Sequence, residues 1–150
     1  MAVTLVGLLA GCGVSSPPPG GDPGNKRLNE LGNDQILRAL PPGAHMSGAI
    51  IRTPARYREP TFDSGGWDGP GITLRFTSKQ PPASVFRYYA NRASQLGWIA
   101  TGKTNVLGYS DEWTKTYPGS VRGYVMLIDL GILRTPTRGT PSKYVLYAGA

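Results

Sequence analysis

The sequence feature that most constrains the fold is one long amphipathic helix, predicted over residues 81–96. Pro81 and Pro82 open the segment, and proline suits a first helical turn because its missing N–H would have no partner there. The apolar residues of the segment share one helical stripe: Val85, Phe86, Tyr89, Ala93 and Leu96. Gly97 follows at the position of a left-handed C-terminal cap. Such a helix must cover another apolar surface, so the neighbouring segments decide the fold class.

Those neighbouring segments have the pattern of strands. Residues 72–77 alternate strictly between apolar and polar side chains, with Ile72, Leu74 and Phe76 on one face. Four further strands are predicted after the helix, at residues 98–104, 112–117, 121–130 and 144–148. Short connections between them favour antiparallel pairing. We therefore expect an α+β fold in two layers, an antiparallel sheet of about five or six strands with the helix packed on one face.

The region before residue 72 has weaker patterns. Residues 25–43 are predicted to form a short helical lead-in, which Gly32 divides and in which Asn33 caps the second piece. The next segment, 45–58, reads as extended, with Pro54 at an edge or a bend.

Residues 61–71 are rich in Gly and Asp and are predicted to be a loop. Residues 44–150 as a whole have the size of one ordinary domain.

The chain begins with an uncharged and mostly apolar run, Ala2–Gly11, of 10 residues. This run is too short to cross a bilayer, which takes about 20 residues, and has the size of a signal-peptide core. It ends in Leu9-Ala10-Gly11-Cys12, where small residues precede the only cysteine of the chain. Gly13–Gly24 follows as a Pro/Gly/Ser linker that favours an extended path.

This beginning resembles the bacterial lipoprotein signal, and the Gly/Ala/Pro/Arg-rich composition resembles that of small envelope lipoproteins of GC-rich bacteria. The resemblance implies that residues 1–11 are a removed signal peptide and that the Cys12 thiol carries a diacylglyceryl group. Residues 12–24 would then tether the domain to the outer face of the cytoplasmic membrane. Such signals normally open with Lys or Arg, and none precedes Cys12, so the true start is expected upstream. The alternative is a buried N-terminal helix or strand with an incidental cysteine.

The charge balance is strongly basic, at +7 from 16 Lys and Arg against 9 Asp and Glu. An exported basic domain can meet anionic lipid headgroups or an anionic wall polymer. The alternative is a solvated basic surface, because the basic residues are scattered along the chain. Nucleic acid is not an expected partner, since no nucleic-acid-binding motif occurs.

No catalytic or metal site is supported by residue spacing. Asp63-Ser64-Gly65-Gly66 is similar to the string around the nucleophile of chymotrypsin-like proteases, but the only histidine, His45, lies 19 residues earlier and leaves no room for that fold. A calcium loop starting at Asp63 would need a Glu where Leu74 stands. One histidine and one acylated cysteine cannot close a zinc site. We expect no cofactor and no metal.

Trp67 and Arg75 are the predicted ligand-binding residues. A tryptophan exposed in a loop, with arginine nearby, suits a sugar, a wall polymer or a partner protein. The alternative is that Trp67 folds back over the sheet as a lid. Trp98, which directly follows the helix, is predicted to lie in the core. We expect a non-enzymatic binding or structural domain. The alternative function is a small envelope hydrolase acting on a wall polymer, which a cleft joining carboxylates to His45 would favour.

Overall fold

The computed structural model describes the backbone of residues 24–61, 64–103, 110–119, 121–131 and 140–150. Within these ranges, helix α1 spans Gly24–Asn33, a 3₁₀ helix spans Gln35–Leu37, and helix α2 spans Pro82–Gln95. The strands are, in chain order, β1 (His45–Met46), β2 (Ile51–Thr53), β3 (Arg56–Thr61), β4 (Ser64–Asp68), β5 (Gly71–Ser78), β6 (Ile99–Lys103), β7 (Ser110–Tyr117), β8 (Val121–Asp129) and β9 (Ser142–Gly149).

Seven of the described strands form one antiparallel sheet. Its order is β5-β9-β8-β7-β6, and the two short strands β1 and β2 both pair with the outer edge of β5. The last four strands follow one another as a meander, as their short connections predict. The predicted α+β fold is confirmed. The sheet is wider than expected because the extended stretch before residue 54 supplies two edge strands.

The hydrophobic core lies between one face of this sheet and the helical segments. On the sheet side it contains Ile72, Leu74, Phe76, Trp113, Val125, Leu127, Tyr144, Leu146 and Ala148. On the helical side it contains Leu28, Leu31, Ile36, Leu37, Val85, Tyr89 and Ala93. Each such large side chain contributes about 1.5–3 kcal/mol when fully buried. The apolar stripe of α2 therefore covers the sheet as its sequence pattern predicts, and Trp98 is buried as predicted.

The helical lead-in, residues 25–43, differs from its prediction in where the first helix ends and which residue caps the second piece. Gly32 lies inside α1 instead of dividing the segment, and Asn33 is the last residue of that helix. The residue that caps the 3₁₀ helix is Asp34, whose Oδ1 accepts a hydrogen bond from the backbone N–H of Ile36 at 3.1 Å. Asp34 has extended backbone angles, which allow its short side chain to reach back to that N–H.

The prediction of a loop over residues 61–71 is wrong. Ser64–Asp68 forms β4, which pairs with β3 as a separate two-stranded hairpin. The loop is predicted because glycine favours turns. Whether such a segment becomes a strand depends instead on pairing with a partner strand, which composition does not show. The break predicted at Pro54 is confirmed, because this residue lies between β2 and β3.

Candidate functional site

The sheet has a second face that points away from the helices, and we call it the open face. Strand register aligns its side chains in rows across the sheet. The central row contains Thr73, Tyr147, Met126 and Glu112. The row on one side of it contains Arg75, Val145, Ile128 and Ser110. The row on the other side contains Gly71, Gly149, Tyr124 and Thr114. Exposed isoleucines extend the face at both sides, Ile51 on β2 and Ile99 on β6.

The centre of the open face is apolar. In an antiparallel sheet with one solvated face, apolar and polar residues normally alternate along each strand. Here β8 and β9 carry continuous apolar runs, and the outward residues Met126, Ile128 and Val145 are only half-buried. Both strands therefore have the composition of strands covered on two sides. The described helices pack on one side only.

Two tyrosines lie side by side at this centre. The ring centroids of Tyr124 and Tyr147 are 5.6 Å apart. A Cβ at Gly71 would meet the Tyr147 hydroxyl at 2.7 Å, and one at Gly149 would meet the Tyr124 ring at 2.6 Å, so each ring lies over a glycine of a neighbouring strand. Burial, followed by the hydrogen bond to Tyr147, raises the pKa of Tyr124. The two rings are tilted by 44° to each other and form an aromatic patch at the centre of the face.

Charged residues of both signs stand around this surface, and they include Arg122, which is exposed on β8 beside Thr116. Arg75 on β5 is exposed and makes no ion pair within the described part of the chain. Lys143 on β9 is exposed one row beyond it. Glu112 lies on β7, where its carboxylate accepts a hydrogen bond from Thr101 Oγ1 at 3.0 Å. The open face thus combines an apolar centre with exposed cations on three separate strands, Arg75, Lys143 and Arg122, and with the carboxylate of Glu112.

The sequence predicts three site residues: Cys12, Trp67 and Arg75. Of these, Arg75 is the one whose side chain lies in the described part of the structure, and it stands on the open face. Cys12 lies outside the described residues. The backbone of Trp67 lies in β4 opposite Tyr57, and its side chain lies outside the described part. Sequence reasoning missed Tyr124 and Tyr147. The signal that pointed to them was the unbroken apolar run of β8 and β9, which exceeds what one buried face requires.

A second polar cluster lies on the helix-covered side, around Asp34. Its Oδ2 accepts hydrogen bonds from Lys115 Nζ at 2.9 Å and from the Tyr117 hydroxyl at 3.1 Å. Its Oδ1 accepts a longer hydrogen bond from Trp98 Nε1 at 3.4 Å, and Lys115 Nζ lies 5.5 Å from the Trp98 ring centroid. Burial, followed by the charge of Asp34, raises the pKa of Tyr117. The carboxylate is engaged on both oxygens, so this cluster joins the lead-in to β7 and offers no free group for catalysis.

Within the described part of the chain, His45 lies apart from the buried carboxylates. This residue is exposed on β1 and pairs with Thr77, whose side chain belongs to the open face. The two buried carboxylates Asp34 and Asp129 lie on the opposite, helix-covered face. Asp129 accepts a 2.7 Å hydrogen bond from the Gly131 N–H, yet burial raises its pKa.

Among the residues that the structure describes, no group of three or more His, Cys, Asp and Glu side chains is placed to hold a metal ion. Nor does any helix in the described ranges have the length and apolar character needed to cross a membrane. Comparisons of the chain with protein-family models, with curated proteins and with solved structures found no match.

Proposed function

We propose that this chain is a lipid-anchored protein of the bacterial envelope whose domain binds another envelope protein through the open face. The apolar centre of that face is the observation that carries the proposal. Large contiguous apolar patches are rare on the surfaces of monomeric soluble domains and mark interaction sites. The signal-like beginning and the linker support attachment through Cys12, which would hold the domain outside the cytoplasmic membrane.

The chemistry of the open face favours a protein partner over an anionic polymer or lipid headgroups. Those anionic ligands are held by clustered cations. On the open face the exposed cations Arg75, Lys143 and Arg122 stand on three separate strands and form no cluster, and Glu112 would repel a polyanion. The tyrosine pair at the centre has instead the aromatic character that is enriched in the buried cores of protein–protein interfaces.

Crosslinking in intact envelopes tests this function. The lipidated protein, captured after crosslinking, should bring down a protein partner. Met126→Glu should abolish the crosslinked product, because it places a charge in the apolar centre of the open face. Asn91→Glu adds the same charge on the exposed surface of α2 and should leave the product unchanged. An unchanged crosslinking pattern in the Met126→Glu protein, with its fold intact by circular dichroism, would contradict the proposal.

A further inference from the structure

We propose that the partner of the open face is a second copy of this chain, packed sheet against sheet in a two-fold dimer. The inference rests on the proposed function, in which the open face is the binding surface. Two packed sheets lie about 10 Å apart and cross at roughly 30°. The aromatic pair Tyr124 and Tyr147 would lie at the centre of this contact.

The order of the strands makes the open face self-complementary. The middle of the face lies between β9 and β8, and β5 and β7 each stand one strand further out. A two-fold axis parallel to the strands at this middle exchanges β9 with β8 and β5 with β7, and near the axis it brings each row of one copy against the same row of the other. Arg75 of one copy then comes opposite Ser110 on β7 of the other, which is buried, and Glu112 lies one row away on that strand and within reach of an arginine side chain. The symmetry forms this pairing of opposite charges twice.

The same operation brings no like charges together on these strands. Lys143 on β9 comes opposite Leu130 at the end of β8, a residue that is 38% exposed in the single chain. Tyr147 comes opposite Met126, and a thioether beside an aromatic ring is a favourable contact. Arg122 on β8 comes opposite the end of β9, next to Gly149, and so meets neither Arg75 nor Lys143 of the second copy.

The extent of the face suffices for a dimer. From β2 to β6 it covers about five strand spacings, or roughly 24 Å, and its strands are about 24 Å long. The contact would bury roughly 600 Å² on each copy and about 1,200 Å² in total, which reaches the lower end of specific interfaces. Ile51 and Ile99, which are 47% and 71% exposed, lie at the two sides of this area and would lose their contact with water.

Charge reversal with two differently tagged full-length copies, co-expressed and extracted in mild detergent, tests the dimer. One wild-type copy should recover the other. Arg75→Glu or Glu112→Arg in both copies should reduce recovery by about tenfold, because each places like charges at both symmetric contacts. The doubly reversed protein should regain the wild-type recovery. So should a mixture in which one copy carries Arg75→Glu and the other Glu112→Arg, because every contact then pairs opposite charges.

Arg87→Glu is the matched control, since it makes the same charge change on the exposed surface of α2 and should leave recovery unchanged. Thermal unfolding of each variant confirms that its fold is retained. Absence of recovery between wild-type copies, or failure of both compensating combinations, would overturn the dimer. If Met126→Glu then removes a crosslink to a different protein, the proposed function stands and only the identity of the partner is wrong. If Met126→Glu changes no crosslink, both proposals fail.

Discussion

Asp34 shows how one side chain joins parts of the chain that are distant in sequence. Its carboxylate caps the 3₁₀ helix and also receives Lys115 and Tyr117 from β7, although only 6% of the side chain is exposed. The sequence placed the cap at Asn33, one residue earlier. Asn and Asp have similar preferences for a cap position, so local propensity could not choose between two adjacent candidates. The contacts with β7 made the choice.

Asp129 gives a prediction for the pH dependence of stability. Burial raises its pKa above the ordinary 3.8, so the fold favours the protonated form. The stability associated with this group is full below the ordinary pKa and is lost as pH rises through the raised value. Asp129→Asn removes the charge and keeps an oxygen for the Gly131 N–H. We expect the free energy of unfolding of this variant, relative to wild type, to increase from about pH 4 to about pH 7.

Urea unfolding at a series of pH values measures this difference. Asp111→Asn neutralises a carboxylate that is only half-buried on the same sheet, and it should show a smaller change over the same range. A difference between Asp129→Asn and wild type that falls as pH rises would contradict the assigned effect of burial.

At the scale of elements, α1 and the 3₁₀ helix belong to the same core as α2 and the sheet. Leu28 and Leu31 on α1, and Ile36 in the 3₁₀ helix, are buried against that core. The sequence set residues 25–43 apart as a lead-in to a domain at 44–150. Its apolar residues are few and widely spaced, so their pattern alone did not show that they fill the remaining part of the sheet face.

Leu31→Ala tests the contribution of α1. Only 1% of this side chain is exposed, so the substitution leaves a cavity in the core. We expect the free energy of unfolding to fall by about 2–5 kcal/mol in chemical denaturation. Asn29→Ala, an exposed change on the same helix, should stay within about 0.5 kcal/mol of wild type. Equal stability of Leu31→Ala and Asn29→Ala would show that α1 is not part of the cooperative unit.

Elements with a clear local period were predictable, and those that depend on a distant partner were not. The stripe of α2 and the alternation of β5 are properties of neighbouring residues. The strand β4 contains two glycines in five residues, and it forms because β3 pairs with it. The open face depends on register, which aligns Arg75, Val145 and Ile128 from three separate strands. The sequence could suggest Arg75 as a candidate because arginine is a common ligand-binding residue. It could not suggest the apolar neighbours of Arg75, because they come from other strands.

At the scale of the whole molecule, the anchor and the binding face belong together in the proposed function. With the proposed anchor, a tether of about 12 residues would let the domain reach roughly 30 Å from the membrane, where the open face could meet a partner. Two or three acyl chains hold such a protein firmly, because each buried CH₂ contributes about 0.8 kcal/mol.

Cys12→Ala tests the anchor. Expressed from its true start, the wild-type protein should incorporate labelled fatty acid and sediment with membranes. The variant should incorporate no label and should be released or remain unprocessed, with an unchanged circular dichroism spectrum. An unlabelled and fully soluble wild-type protein would contradict lipid attachment.

By itself the sequence determined the α+β class, the helix α2 and the four strands after it, because these are carried by residues close together in the chain. The lipoprotein-like beginning stays a prediction from the sequence. Only the tertiary structure decided which face of the sheet the helices cover and which residues remain on the other. Register and strand order bring Tyr124, Tyr147, Arg75 and Glu112 onto one surface, on opposite sides of its middle. That arrangement depends on pairings between residues up to about 80 positions apart, which no local pattern records.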